Sequence, residues 1–99
     1  MEDKKYYTYI ILTEKDTLYC GYTDDVHKRY LAHLSGKGAK YTRAFKPKKL
    51  VFVKEFSSKS EAVNEEFKIK KLSRKEKIEL INKHNLNTGN IYLQNLTIQ

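Results

Sequence analysis

Two tyrosines and an arginine recur at ten-residue intervals near the start of the chain, at Tyr9, Tyr19 and Arg29, and His33 and Glu66 follow. A guanidinium offers fork-shaped donors to phosphate oxygens as negative charge accumulates on them. A carboxylate can hold one Mg²⁺ or Mn²⁺, and such an ion polarises a phosphate. A phenol, with a reference pKa of about 10, orients water but needs nearby cations to act as a base. This set of side chains predicts hydrolysis of a phosphodiester.

The composition predicts an anionic partner. The 99 residues carry a formal net charge of +8, and no acidic residue lies between Asp25 and Glu55. Because lysine and arginine supply most non-specific affinity for phosphate backbones, nucleic acid is the expected partner, DNA rather than RNA. The chain has no apolar run long enough to span a membrane, and its first residues lack the apolar core of a signal peptide. We therefore expect a cytoplasmic protein that does not bind membranes.

The basic segment in the middle of the chain is the candidate for holding flanking phosphates. Its cations lie after a glycine-containing stretch and around the only proline of the chain. They are Lys37, Lys40, Arg43, Lys46, Lys48 and Lys49. The alternative is that the segment is only a solvated loop.

The two tyrosines fall in a predicted hairpin. Residues 6–12 and 17–22 are rich in aromatic and β-branched types and predict two strands joined by a polar turn. In a register with Tyr9 opposite Tyr19, the loop has about three residues and both phenols emerge on one face of the sheet. Cys20 then points to the opposite face and is expected to be buried.

Helices are predicted after this hairpin. A helix from about residue 25 to 34, capped by Thr23 or Asp24, places Arg29 and His33 in one row beside an apolar stripe. Residues 50–53 are apolar on both faces, which favours a central strand. A second helix begins after Ser57 or Ser58 and ends at about residue 71, with Glu66 on its inward row.

A third helix is predicted to begin at Ser73 and end at about His84, because Ser73 and Glu76 form a capping-box pattern. The composition then shifts to Asn, Thr, Gln and Leu. We therefore expect one domain over residues 5–84 and a loosely attached tail over residues 85–99.

The motifs resemble those of the GIY-YIG nuclease superfamily, and in particular its small stand-alone bacterial proteins. The segments 7–9 (Tyr-Thr-Tyr) and 19–21 (Tyr-Cys-Gly) stand where the two name-giving motifs belong, and Arg29 falls at the family spacing. The segments 35–43 and 65–75 resemble signatures of the stand-alone subgroup. The resemblance covers about residues 5 to 82.

This resemblance implies an α+β fold, with a central three-stranded antiparallel sheet flanked by helices. It implies that Tyr9 and Tyr19 line the site and that one of them acts as base or positions water. It also implies that Arg29 binds phosphate, that His33 supports the nucleophile and that Glu66 binds one Mg²⁺ or Mn²⁺ ion.

Several alternatives stay open at this stage. Glu65 is the register alternative to Glu66 as the metal ligand, and Glu66 could instead pair with Lys70 four residues on. The chain could be a weakly active or inactive module that binds DNA or RNA. The preferred nucleic-acid structure, a protein partner for targeting and the oligomeric state are not fixed by the sequence.

Overall fold

Three antiparallel strands form the sheet at the centre of the fold. The computed structural model describes residues 4–88, and the side chains of all of these except 41–42 and 87–88. The strands are β1 (Tyr6–Thr13), β2 (Leu18–Thr23) and β3 (Pro47–Phe56), in the order β2-β1-β3. Four helices surround them: α1 (Val26–Leu34), α2 (Lys40–Ala44), α3 (Lys59–Lys70) and α4 (Arg74–Thr88). The predicted α+β fold with a three-stranded antiparallel sheet is confirmed.

The strand β3 lies at an edge of the sheet, so the prediction that it is central was wrong. Its outer edge is covered by side chains of α4, and this explains why a strand with apolar residues on both faces is stable there. His84 Nε2 donates to the carbonyl oxygen of Val53 at 2.8 Å, and Asn85 Nδ2 donates to that of Val51 at 3.5 Å. These bonds satisfy carbonyl groups that an open edge would leave unpaired.

The hairpin register also differs from the prediction, by two residues. Tyr9 lies opposite Gly21, and Tyr19 lies opposite Ile11. The chain reverses over three residues between Thr13 and Thr17, and Asp16 adopts a left-handed conformation with φ 63°. A residue in that conformation is typical of three-residue hairpin loops.

Local signals set the helix boundaries. Asp25, rather than Thr23 or Asp24, caps α1, and Ser58 caps α3 as predicted. Ser73 and Glu76 form the predicted reciprocal capping bonds at the start of α4. The helix α4 continues to residue 88, four residues beyond the predicted end, and α2 lies in the basic middle segment, for which no helix was predicted.

The core and the candidate site lie on opposite faces of the sheet. Ile10, Cys20 and Phe52 pack with Ile69 of α3 and Ile81 of α4 on one face. This burial holds α3 and α4 against the strands. No helix among residues 4–88 has the length and apolar character needed to cross a bilayer. The predicted tail over residues 85–99 lies mostly outside the described residues, and the domain boundary stays a prediction.

Candidate functional site

The second face of the sheet carries both tyrosines, with α1 above them. Because side chains alternate along a strand, Tyr9, Tyr19 and Gly21 project to the same side as predicted, despite the changed register. His33 of α1 completes a cluster of three rings. The ring centroids of Tyr9 and Tyr19 are 6.5 Å apart, and that of His33 lies 5.7 Å from Tyr9 and 5.3 Å from Tyr19.

A hydrogen-bonded pair lies at the bottom of this cluster. The hydroxyl of Tyr9 and Nε2 of His33 are 2.8 Å apart, and the two residues are 2% and 1% exposed. The backbone N–H of Ala39 donates to Nδ1 of His33 at 3.4 Å. A ring nitrogen that accepts carries no proton in the neutral imidazole, so Nε2 carries it and donates to the oxygen of Tyr9.

Burial keeps both members of the pair uncharged at neutral pH. Burial, followed by the charge of Arg29, lowers the pKa of His33 to about 4. Burial raises the pKa of Tyr9 to about 12, although a hydrogen bond from Arg29 acts in the opposite direction. The guanidinium of Arg29 therefore lies beside both rings, and the predicted convergence of Tyr9, Arg29 and His33 is present.

Two glycines allow the rings to pack so closely. A Cβ atom on Gly21 would lie 2.5 Å from the hydroxyl oxygen of Tyr9, and one on Gly38 would overlap the ring of His33. Any other residue at either position would displace a ring of the site. The glycine of the Tyr-Cys-Gly segment is thus required by the packing of Tyr9 on the neighbouring strand.

Tyr19 is the more accessible phenol, since it is half-buried whereas Tyr9 is buried. Burial raises the pKa of Tyr19 above its ordinary value, the charges of Lys70 and Arg29 oppose this, and the carboxylate of Glu66 reinforces it. Cations and a carboxylate from two different helices therefore act on one phenol. Four of the five predicted catalytic residues, Tyr9, Tyr19, Arg29 and His33, thus lie together on the α1 face of the sheet, and Glu66 of α3 contributes a charge that acts on Tyr19.

Glu66 lies on α3 with its side chain 18% exposed, and one carboxylate oxygen, Oε2, is 3.5 Å from Nζ of Lys70. Its neighbour Glu65 pairs instead with Lys54 of β3, at 3.7 Å. The charge of Glu66 acts on Tyr19, and both glutamates act on the next residue, Cys20, with Glu66 the stronger of the two. Of the two candidates for the metal ligand, Glu66 is the one whose charge acts more strongly on this part of β2.

The carboxylate of Glu66 suits a hard divalent ion that is bound by few protein ligands. Within the described part of the chain no three His, Cys, Asp or Glu side chains group together. Mg²⁺ is commonly bound through one or two carboxylates, substrate phosphate and several waters rather than by a full protein cage. A carboxylate such as that of Glu66 is the type of oxygen ligand that such a site uses.

Four of the six predicted phosphate-binding cations line two separate clefts. Arg43 and Lys46 line a cleft of about 380 Å³ together with His33, beside the ring cluster. Lys48 and Lys49 line a separate cleft of about 560 Å³ on the other side of α1. Lys37 and Lys40 are exposed around the start of α2 and line neither cleft.

Three features of the site were not recognised as functional in the sequence. They are the contacts of Gly21 and Gly38 with the rings and the position of Lys70 near Tyr19. The spacing of four residues between Glu66 and Lys70 was a usable signal for the ion pair, and that pair is present. The spacing alone could not show that the charges of Glu66 and Lys70 act on the phenol of Tyr19 in β2.

Comparison with known proteins agrees with this geometry. The family model of the GIY-YIG catalytic domain matches residues 5–79. The chain is 47% identical over 79 residues to the UPF0213 protein OB0043 of Oceanobacillus iheyensis, covering 80% of this chain and 92% of that protein. It is 44% identical over 77 residues to the UPF0213 protein YazA of Bacillus subtilis, covering 78% of each.

A solved structure gives the same result for the fold. The solution NMR structure of the UPF0213 protein BH0048 from Bacillus halodurans is 42% identical in sequence, covers 89% of each chain and has a TM-score of 0.53. The predicted resemblance to small stand-alone bacterial proteins is thus confirmed. The chain belongs to the GIY-YIG catalytic-domain family, and membership implies nuclease-type activity in general.

Proposed function

We propose that this protein is a metal-dependent endonuclease that hydrolyses phosphodiester bonds in DNA. The observation that carries the proposal is the cluster of two phenols, a neutral imidazole and a guanidinium on the α1 face of the sheet, together with a carboxylate of α3 whose charge acts on Tyr19. Phosphodiester hydrolysis needs an oriented water, donors to the charged phosphate and a site for the leaving oxygen. Each of these requirements has a candidate group in the cluster.

The two phenols take different roles in this proposal. Tyr9 is buried and its oxygen accepts hydrogen bonds from His33 and Arg29. It holds Arg29 in place. Tyr19 is half-buried at the same cluster, so its hydroxyl is the one that orients the attacking water. Arg29 donates to the scissile phosphate as charge develops there.

Glu66 would hold the single Mg²⁺ or Mn²⁺ ion. The bound ion would polarise the phosphate and stabilise the leaving oxygen. Glu66 is anchored on a helix whose inner face is part of the core, so its carboxylate keeps a fixed position relative to β2. Arg43 and Lys46, which line the cleft beside His33, would hold a neighbouring phosphate of the same strand.

The experiment is cleavage of a panel of duplex, nicked, branched and single-stranded DNA, with RNA of matched sequence, in Mg²⁺ or Mn²⁺. We expect cleavage of at least one DNA structure, loss of cleavage in EDTA and a decrease of at least about 100-fold in Glu66→Ala. Equal rates for the wild type and Glu66→Ala, or no cleavage of any substrate by the wild type, would contradict the proposal. Faster cleavage of RNA than of DNA would contradict the substrate assignment alone.

One observation favours a second candidate, a nucleic-acid-binding module without turnover. The pKa values of Tyr9 and Tyr19 are raised and that of His33 is lowered, so none of these three groups is a ready base near neutral pH. Such a module would bind DNA or RNA through its cations, and its affinity would fall steeply with added salt. Salt-dependent binding without metal-dependent cleavage would support this function over the first.

A further inference from the structure

Lys70 pairs with Glu66, the proposed metal ligand, and has no role of its own in the proposed function. Its ammonium is 3.5 Å from a carboxylate oxygen of Glu66, and its charge is the largest electrostatic influence on the Tyr19 phenol, ahead of that of Arg29. The same charge also acts on Cys20, the next residue of β2. The end of the Lys70 side chain is therefore close to the strand that carries Tyr19.

Two other lysines of this helical region provide a contrast. Lys68 is exposed and belongs to none of the described ion pairs, and its charge does not appear among the influences on Tyr9, Tyr19 or His33. Lys71 lies over the ring of Phe67, at 4.1 Å from its centroid. Of these three lysines, Lys70 is the one that pairs with Glu66, so a general basic surface does not account for its position.

The pair of Lys70 with Glu66 has a consequence for the proposed metal ligand. A carboxylate that is already paired with an ammonium is a poorer ligand, because the ammonium and the divalent ion compete for the same oxygen atoms. Once the carboxylate of Glu66 binds the divalent ion, the ammonium of Lys70 loses its partner and can pair with another anion. In a nuclease site the anion available to it is a phosphate of the substrate.

We propose that Lys70 neutralises Glu66 in the free protein and transfers to a phosphate oxygen of the substrate when Glu66 binds a divalent ion. This inference rests on the proposed nuclease function. Lys70 thereby couples the binding of the ion by Glu66 to the binding of the substrate phosphate. The substrate phosphate is then held between two cations, Arg29 from α1 and Lys70 from α3.

The first test measures ion binding without any nucleic acid. Mn²⁺ is titrated into ¹⁵N-labelled protein, and the paramagnetic broadening of the amide signals around Glu66 gives a dissociation constant. We expect Lys70→Met to bind Mn²⁺ about two- to fivefold more tightly than the wild type, since a half-exposed competitor is removed. Lys68→Met removes the same charge from the same helix and is expected to leave the constant unchanged.

The second test measures cleavage of the DNA substrate by the same variants. Lys70→Met is expected to lower kcat about 10- to 100-fold with little change in KM, because the bond to phosphate strengthens as charge develops. Lys70→Arg keeps a cation and is expected to recover most of kcat. A merely structural role for Lys70 would produce neither tighter Mn²⁺ binding nor this recovery by arginine.

The outcomes separate this inference from the function on which it rests. If Mn²⁺ broadens no signal around Glu66 in any variant and no DNA is cleaved, the proposed function fails and the inference fails with it. If the wild type binds Mn²⁺ and cleaves DNA, but Lys70→Met matches Lys68→Met in either measurement, the role of Lys70 is overturned and the nuclease function stands. Tighter Mn²⁺ binding together with a lower kcat supports the inference.

Discussion

Acidification below neutral pH is expected to destabilise the fold through His33. This side chain is 1% exposed and hydrogen-bonded to Tyr9, and its pKa is lowered from 6.5 to about 4 in the folded protein. Between these two values the unfolded chain binds a proton at this position and the folded chain does not. The free energy of unfolding must therefore fall as the pH falls from about 6.5 to about 4.

The size of the effect follows from the gap between the two pKa values. At about 1.4 kcal/mol per pH unit, His33 can contribute at most about 3 kcal/mol to the free energy of unfolding, and about 2 kcal/mol of this is lost at pH 5. For a domain of this size the loss is a large part of the total stability, which is typically about 5–15 kcal/mol. The contribution is complete above pH 6.5.

The assay is urea unfolding at pH 7.5 and pH 5 for the wild type and His33→Gln. Glutamine does not titrate, and its amide can still donate to the hydroxyl of Tyr9. Carboxylates contribute to acid sensitivity in both proteins, so the difference between them isolates the histidine. We expect the wild type to lose about 2 kcal/mol more than His33→Gln between the two pH values. An equal loss of unfolding free energy in both proteins would refute the conclusion that His33 is buried and neutral.

Two further predictions concern the packing that positions the site. Gly21→Ala places a methyl group 2.5 Å from the hydroxyl oxygen of Tyr9, and we expect a loss of about 2–3 kcal/mol in urea unfolding together with loss of cleavage; stability equal to that of the wild type would show that the ring is free to move. Thr8→Val removes the 2.8 Å hydrogen bond from Thr8 Oγ1 to the carbonyl oxygen of Ala62, which ties α3 to β1. We expect it to cost about 1–2 kcal/mol, measured in the same way, and an unchanged unfolding midpoint would contradict that role for the bond.

Much of the site was predictable because its residues follow the alternation of strands and the spacing of helices. The phenols share a face in the observed register as in the predicted one, since a shift of two residues preserves the face. The spacing of four residues between Arg29 and His33 places both side chains at the ring cluster. Glu66, on the predicted inward row of α3, is likewise mostly buried, with 18% of its side chain exposed.

The errors arose where distant parts of the chain decide the outcome. The apolar pattern of β3 reports burial but not position in the sheet, and its edge is covered by His84 and Asn85, more than thirty residues further along the chain. The hairpin register depends on the left-handed conformation of Asp16, which a polar turn sequence does not specify. The close contact of Gly21 with Tyr9 depends on that register and could not be inferred before it was known.

The most direct test of the proposed function is single-turnover cleavage by Glu66→Gln and Glu65→Gln, measured side by side in Mg²⁺. The two substitutions remove the same charge from adjacent positions of α3, but the charge of Glu66 acts on Tyr19 whereas Glu65 pairs with Lys54. We predict that Glu66→Gln lowers the cleavage rate at least about 100-fold and that Glu65→Gln lowers it less than about threefold. Equal rates for the two variants, or a larger loss for Glu65→Gln, would contradict a metal site at Glu66.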